Sequence, residues 1–216
     1  MLGRTHITTG VTAASFVAVP LAAAGVQPGI CLMSIPIGAY ATLFPDWDHH
    51  GSRITSSLPP LSNFVNWTLR GWPVNRPVLA LQYGHIIPIP RIEWELWCRV
   101  LPWHVAHRRE THTEEAALIF GLVLGLPLWL LPAPIGPYWW VFALQIAAGC
   151  LTHLWGDMRT TGGLQARGGN PDERRTLGNT FDTGSDREAA LREHIYRPVA
   201  AMTAIASAVI ITALAT

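Results

Sequence analysis

The chain of 216 residues contains no lysine, since all fifteen of its basic residues are arginine, and it has few charged residues of any kind. Charged side chains make up 13% of the sequence, whereas soluble domains carry about 25%. This deficit excludes a disordered chain and the ordinary surface of a soluble enzyme. The formal net charge is +1, which gives no electrostatic basis for binding nucleic acid.

Cysteine is scarce as well. The three cysteines, Cys31, Cys98 and Cys150, lie far apart and form no C-x-x-C pair. This spacing excludes a disulfide framework and a thiolate zinc site. Any metal site in this chain must therefore use histidine and carboxylate ligands.

Half of the residues are hydrophobic, and they gather into long segments without formal charge. The first segment divides at Gly25-Val-Gln-Pro-Gly29, a turn signal. The pattern predicts five helices, at about residues 8–26, 29–44, 115–131, 138–156 and 197–215. Each is close to the roughly 20 residues that cross a hydrocarbon core of about 30 Å. We therefore predict an all-α, multi-pass membrane helical bundle with about five transmembrane helices and long polar loops on one face.

Two alternatives to this membrane bundle remain open from the sequence. A soluble, all-helical core wrapped in polar loops would show similar apolar runs, but Trp139, Trp140 and Trp155 at the ends of one run are typical of membrane interfaces. The first segment also has the outline of a signal peptide ending near Ala22-Ala-Ala24. Gly10 dilutes its apolar centre, which favours a retained helix.

Alternating passes place the polar segments on one side of the membrane. The N-terminus and the segments 45–114 and 157–196 share that side, while the turns near residues 27 and 134 and the C-terminus face the other. All arginines, acidic residues and histidines fall on the first side or at its helix ends. The positive-inside rule makes that side cytoplasmic. We expect a multi-pass protein of the bacterial cytoplasmic (inner) membrane, in contact with the lipid bilayer.

Residues 1–216 form one predicted domain, with residues 51–103 as an interfacial insertion. This insertion holds a short apolar run that Pro88 and Pro90 interrupt. Such a run is too short and too broken to span the bilayer. The sequence gives no signal for an oligomeric state.

Two motifs combine imidazole and carboxylate groups at helix ends. His153 and Asp157 are four residues apart, which places them on one helical face where both can reach a single metal ion. Pro45-Asp46-Trp-Asp48-His49-His50 ends the second helix with two carboxylates and two imidazoles. A hydrogen bond at the helix end would by itself explain the His153/Asp157 pair. No structural role requires four ionisable side chains within residues 46–50, so a metal or catalytic role is favoured for that motif.

Two further histidine motifs lie on the same predicted side. His107-Arg-Arg-Glu-Thr-His112 precedes the third apolar helix, and Thr111-His-Thr-Glu114 fits a capping box. This box predicts a helix start near His112. His6 opens the first helix, and Gly10 one turn later allows another helix to approach closely.

Together these motifs predict a metal site at one level of the membrane. Ionisable clusters at that depth are costly and indicate a functional site. Mixed imidazole and carboxylate ligands suit a divalent metal, zinc first, with manganese or iron as alternatives. The candidate metal ligands are His6, Asp46, Asp48, His49, His107, His112, His153 and Asp157.

The order of these motifs resembles the YdjM-like family of membrane-bound metal-dependent hydrolases. The matching elements are Thr5-His6-x-x-x-Gly10, Leu43-Phe-Pro-Asp46-x-Asp48-His49-x-x-Ser52, His107-Arg108-x-x-Thr111-His112, Gly149-x-x-x-His153-x-x-x-Asp157-x-x-Thr160-x-x-Gly163 and Phe181-Asp-Thr183-Gly184-Ser185-x-x-Glu188. The resemblance implies a multi-helix inner-membrane protein with a His/Asp metal site and a hydrolytic activity. Arg109 and the long 51–103 stretch depart from the family pattern.

The leading functional prediction is a metal-dependent hydrolase acting on a phosphoester, either a small molecule or a lipid or lipid-linked phosphate. The phosphoester preference follows from a more distant similarity to zinc-dependent phospholipases C and from the available arginines. Arg108 is the candidate phosphate contact, and Glu188 or Glu110 is the candidate general base. The alternatives are a metal transporter or sensor and a non-catalytic membrane protein whose metal only ties helices together.

Overall fold

The computed structural model describes residues 3–48, 112–165, 174–178 and 180–215. Helices dominate these ranges, as predicted. The helices are α1 (Gly3–Ala23), α2 (Pro28–Ala41), α3 (Glu114–Gly125), α4 (Trp139–Met158), α5 (Asp186–Leu191) and α6 (Arg197–Ala213). Three 3-10 segments, Phe44–Asp48, Leu126–Leu130 and Gly136–Tyr138, extend or connect them. A helix is therefore present at each of the five predicted positions, although α3 ends at Gly125 instead of near residue 131.

A two-residue antiparallel pairing was not predicted. β1 (Leu164–Gln165) pairs with β2 (Arg174–Arg175), in the polar segment that follows α4. Elements this short carry too little alternation to be recognised in a sequence. They leave the all-helical character of the bundle unchanged.

Three helical segments in the described ranges are long and apolar enough to cross a membrane: Gly3–Ala23, Pro28–Asp46 and Asp186–Ala213. They correspond to the first, second and fifth predicted passes. α4 is also 20 residues long, but Gln145 and His153 lower its hydropathy. The total of five passes therefore remains a prediction.

The third pass is less regular than predicted. α3 has 12 residues and ends at Gly125, and a 3-10 segment of five residues continues the path. Pro127 lies in that segment and has no backbone N–H to continue an α-helix. At 1.5 Å per residue for α-helix and 2.0 Å for 3-10 helix, the two pieces together reach about 28 Å. The pass is thus nearly as long as the hydrocarbon core is thick.

Large apolar side chains cover the outer faces of α3 and α6. Examples are Leu122 and Val123 on α3 and Met202, Ile205 and Val209 on α6, each more than half exposed. Contiguous apolar surface of this kind marks a membrane or protein contact. Contact with lipid accounts for it in a membrane protein.

α4 lies at the centre of the bundle and packs against α1, α2 and α3, while α6 packs on α1. At one end of the bundle, Val26, Ile30, Val141, Phe142 and Ile211 form a buried cluster. This cluster joins the α1–α2 turn, the start of α4 and the end of α6, as alternating passes require. The opposite end therefore receives the start of α1, the end of α2 and the end of α4.

Two glycines allow these helices to approach closely. A Cβ on Gly10 of α1 would collide with the Thr42 side chain and lie 2.9 Å from the Ala39 carbonyl oxygen. A Cβ on Gly149 of α4 would collide with the Gly38 carbonyl oxygen and lie 2.9 Å from the Ala41 Cβ. The close approach predicted for Gly10 is confirmed. Both contacts hold the end of α2 against its neighbours.

Buried polar side chains tie the helices together in the bundle interior. The Gln145 amide of α4 donates to the Ala14 carbonyl oxygen of α1 at 3.1 Å and to the Ser34 hydroxyl of α2 at 3.0 Å. Hydrogen bonds between helices of this kind stabilise membrane bundles, where apolar side chains gain little by leaving lipid. They fix the relative positions of α1, α2 and α4.

α5 and α6 form one continuous helical segment, so the helix expected at about residues 197–215 extends back to Asp186. A π-helical stretch, Arg192–Tyr196, joins them. The Ser185 hydroxyl accepts from the Glu188 backbone N–H at 3.3 Å and caps the start of α5. π-helical stretches often lie near functional sites, because the extra residue redirects the side chains around it.

Candidate metal centre

Five of the eight predicted ligands meet at one end of the bundle. His6 comes from α1, Asp46 from the 3-10 turn after α2, His112 from the residue before the N-cap of α3, and His153 and Asp157 from the last turns of α4. These positions are the start of α1, the end of α2, the start of α3 and the end of α4, which alternating passes place on the same side. The structure therefore brings these five predicted ligands together, while their role as metal ligands stays a prediction.

Their ligand atoms form two overlapping groups that share His153. His6, Asp46 and His153 make one group, and His112, His153 and Asp157 make the other; within each group the ligand atoms all lie within 4.8 Å of one another. The Nε2 atoms of His112 and His153 are 3.2 Å apart. His153 Nε2 lies 3.5 Å from Asp46 Oδ1 and 3.4 Å from Asp157 Oδ2.

These separations fit shared coordination better than direct hydrogen bonding. Ligand atoms held tetrahedrally at about 2.0–2.1 Å from one zinc ion lie about 3.3–3.4 Å from each other. The observed range of 3.2–3.6 Å includes that edge length, whereas strong N–H···O hydrogen bonds are about 2.7–2.9 Å long when charged. The donor set therefore fits a divalent cation, with one or two ions compatible with the overlapping groups.

His6 supplies independent support. Its ring is completely buried and stacks on the His153 ring, with centroids 3.9 Å apart and an interplanar angle of 13°. Its Nε2 is 3.4 Å from Asp157 Oδ1, yet neither ring nitrogen has a well-aligned hydrogen bond in the described part of the chain. Buried polar atoms without partners are costly. A metal ion would satisfy the Nε2 atom.

A backbone carbonyl orients the shared ligand His153. Its Nδ1 lies 2.6 Å from the Thr42 carbonyl oxygen, which can only accept a hydrogen bond. Nδ1 therefore carries the proton, and the lone pair of Nε2 points toward the other ligands. Metal-bound histidines usually have such a partner. Sequence reasoning missed Thr42, since a backbone contact leaves no side-chain signal.

The start of α3 differs from the prediction. Its N-cap is Thr113, whose hydroxyl accepts from the Ala116 backbone N–H at 3.1 Å, so the capping box proposed for Thr111 is wrong. Glu114 and Glu115 follow in the first turn, where the helix dipole favours acidic residues. His112 consequently precedes the helix instead of lying on its first turn. Burial lowers the pKa of His112 and favours its neutral, metal-binding form.

The other predicted site residues have different outcomes. The backbone of Asp48 closes the 3-10 turn, but its side chain lies outside the described set, as do His49, His107, Arg108, Glu110 and the 51–103 insertion. Glu188 is fully buried, and its Oε2 accepts from the Gly184 backbone N–H at 2.7 Å. This contact orders the loop before α5. The proposed role of Glu188 as a general base remains a prediction.

The centre combines a buried wall with one more accessible side. The side chains of His6, His112, His153 and Asp157 are at most 2% exposed, whereas that of Asp46 is 23% exposed. Catalytic metal sites keep an open coordination position, and structural sites close it. Asp46 is therefore the most solvent-accessible of the five ligands in the described part of the chain.

The fold and this cluster define a helical membrane protein with a buried His/Asp centre suited to a divalent metal. A family model described as YdjM inner membrane protein matches residues 1–214. The chain belongs to this family, in agreement with the resemblance of its motifs, and it is an inner-membrane protein. No curated protein and no solved structure matches the chain.

Proposed function

We propose that this protein is a metal-dependent hydrolase of the inner membrane that acts on a phosphoester. The observation that supports it most is the convergence of His6, Asp46, His112, His153 and Asp157 on one point, at the separations of a coordination polyhedron. Such a centre supplies a Lewis acid that activates water and polarises a phosphoryl oxygen. Zinc is the proposed metal, with manganese or iron as alternatives.

Other residues of the chain would orient the ligands, bind the phosphate and accept a proton. Thr42 holds the His153 ring in its binding orientation, and the buried helices exclude bulk water from one side of the centre. Arg108 is the proposed phosphate contact, because a guanidinium pairs with two phosphate oxygens at once. Glu110 or Glu188 is the proposed general base. Glu188 has the added task of holding the Gly184 loop.

Two other functions compete with hydrolysis. A purely structural metal would tie α1, α2 and α4 together, and the burial of four ligand side chains favours it. A transporter or sensor would need a polar path through the spans. The buried polar groups Gln145 and Ser34 instead bond to each other across helices. The accessible side at Asp46 favours catalysis over both.

One experiment separates these functions. The full chain is purified from membranes, its metal content is measured, and it is screened with phosphomonoesters and phosphodiesters alongside the His153→Ala variant. Hydrolysis that disappears in the variant together with the metal supports the proposal. Bound metal without hydrolysis of any phosphoester indicates a structural centre or a sensor, and metal uptake into vesicles indicates a transporter.

A further inference from the structure

A groove lies between α1, the end of α4 and the junction of α5 with α6, and its wall includes Thr152, the residue before the ligand His153. It encloses about 550 Å³, within the range of about 300–1,000 Å³ typical of ligand pockets. Each residue that lines it is uncharged, and most are apolar. Its walls include Thr9, Phe16, Leu151, Trp155, Ile195 and Val199.

The groove leads away from the metal ligands. Thr9, Ala13 and Phe16 line it from α1, and together with His6 they follow the spacing of one helical face. On α4, the lining residue Thr152 directly precedes the ligand His153. From Thr9 to Phe16 the wall extends about 10 Å along the helix axis. One end of the groove therefore lies about one helical turn along α1 from the ligand His6.

The outer rim of the groove is continuous with the lipid-facing surface. Phe16 is 68% exposed, and Ile195 and Trp155 are 49% and 41% exposed. Met202 and Ile205 continue this apolar surface along α6. Water in such a groove would find few polar partners. In an inner-membrane protein the surroundings supply hydrocarbon chains instead.

An arginine lies against Trp155, one of the residues of the groove wall. The Arg159 guanidinium lies over the Trp155 ring, 5.8 Å from its centroid, and Arg159 follows the ligand Asp157 by two residues. Its Nε is buried and donates no hydrogen bond within the described ranges. A buried donor without an acceptor is costly. Phosphate oxygens are acceptors that match a guanidinium.

We propose that this groove binds a hydrocarbon chain of a membrane phospholipid, with the phosphate of that lipid on Arg159. A lipid phosphoester is then the substrate class of the metal centre, an assignment that rests on the proposed hydrolase function. Binding of the lipid does not rest on it. The π-helical stretch Arg192–Tyr196 contributes Ile195 and Tyr196 to the groove wall. In this proposal its function is to shape the lipid-binding groove.

Photo-crosslinking tests the groove without requiring turnover. The full chain is placed in phosphatidylcholine bilayers with a trace of phosphatidic acid that carries a diazirine in its acyl chain, and labelled peptides are mapped by mass spectrometry. The label should concentrate on peptides containing Phe16, Leu151 and Val199. Ala13→Trp and, independently, Val199→Trp fill the groove and should remove this label. Ala206→Trp, at an exposed position of α6 that does not line the groove, should retain it.

A second probe tests Arg159. A diacylglycerol with the same diazirine chain lacks the phosphate. Arg159→Gln should lower groove labelling by phosphatidic acid to the diacylglycerol level and leave the diacylglycerol labelling unchanged. An equal effect on both probes, or none, would overturn the phosphate assignment.

The outcomes keep the two proposals apart. Labelling spread evenly over Met202, Ile205 and the groove, with no response to either groove-filling variant, shows ordinary lipid contact and overturns the groove. Hydrolysis of a soluble phosphodiester combined with that result would leave the hydrolase in place. Specific groove labelling in a protein that hydrolyses no phosphoester would refute the hydrolase and keep the lipid site.

Discussion

The imidazole ring of His6 on α1 stacks on the ring of His153 on α4, with 3.9 Å between centroids. Two imidazolium cations would repel each other at this distance, so the pair requires at least one neutral ring. Neutral imidazoles are the forms that bind metals. The stacked pair is therefore compatible with the metal centre that the ligand separations around His153 indicate.

The topology gives the first prediction. Reporters fused near residues 60 and 170 should report the same side of the membrane, and a reporter at the C-terminus should report the other side. This prediction assumes five alternating passes. Three of them are long and apolar enough to span a membrane, and α3 and α4 would supply the other two. Fluorescent-protein and alkaline-phosphatase fusions measure the sides. If the two loops face opposite sides, the polar ends of the helices have no common compartment.

The shared position of His153 gives the second prediction. Ala substitutions at Asp46, His112, His153 or Asp157 should each weaken metal binding at least about tenfold, since changes to supporting residues alone cost about 10–100-fold. His153→Ala should have the largest effect because both ligand groups include it. Competition with a chelator measures the affinity.

His194→Ala is the matched control for that series. His194 is exposed, lies on the π-helical stretch and is not part of either ligand group. Its loss should leave metal affinity unchanged. If His194→Ala weakened binding as much as His153→Ala, the cluster would not be the metal site.

Helix approach gives the third prediction. Gly10→Ala should destabilise the protein by about 1–3 kcal/mol, because the added methyl group overpacks α1 against α2. Gly29→Ala, where an added Cβ meets nothing within 4 Å, should leave the melting temperature unchanged. Thermal melting of the detergent-solubilised protein compares them. Equal melting temperatures for both variants would show that the contact at Gly10 is not tight.

Arg108 gives the fourth prediction. Guanidinium has donors and no acceptor, so Arg108 is not a metal ligand. If it binds the phosphate of the substrate, Arg108→Lys should keep the metal and lose roughly tenfold or more in turnover, because lysine lacks the bidentate fork. Metal content and turnover are measured on the same preparation. Unchanged turnover would show that Arg108 does not bind the phosphate, and it would remove one of the reasons for choosing a phosphoester.

The sequence predicted the helices because they coincide with long apolar runs. It predicted that the ligands lie together because alternating passes and the four-residue spacing of His153 and Asp157 place them at one end of the bundle. Apolar runs located α1, α2, α4 and α6, and the spacing of His153 and Asp157 placed two ligands on one face. The distribution of charged and apolar residues did not predict the 3-10 segment after Gly125 or the π-helical stretch that begins at Arg192. Those features arise from backbone hydrogen bonding, which side-chain hydropathy does not encode.

The groove and Arg159 were beyond sequence reasoning for another reason. A cavity depends on how three separate helices pack, and its apolar lining is indistinguishable from ordinary lipid-facing residues. Arg159 looked like any other charge in a polar segment. Only its position over Trp155, with a buried Nε, sets it apart.

Metal content tests the central claim most directly. The full chain and the double variant His153→Ala/Asp157→Ala are purified under identical conditions, and bound metals are measured by elemental mass spectrometry. We expect a stoichiometric divalent metal in the unsubstituted protein and its loss from the variant, with membrane insertion intact because the apolar spans are unchanged. Full retention of metal by the double variant, or no metal in the unsubstituted protein, would contradict the metal centre.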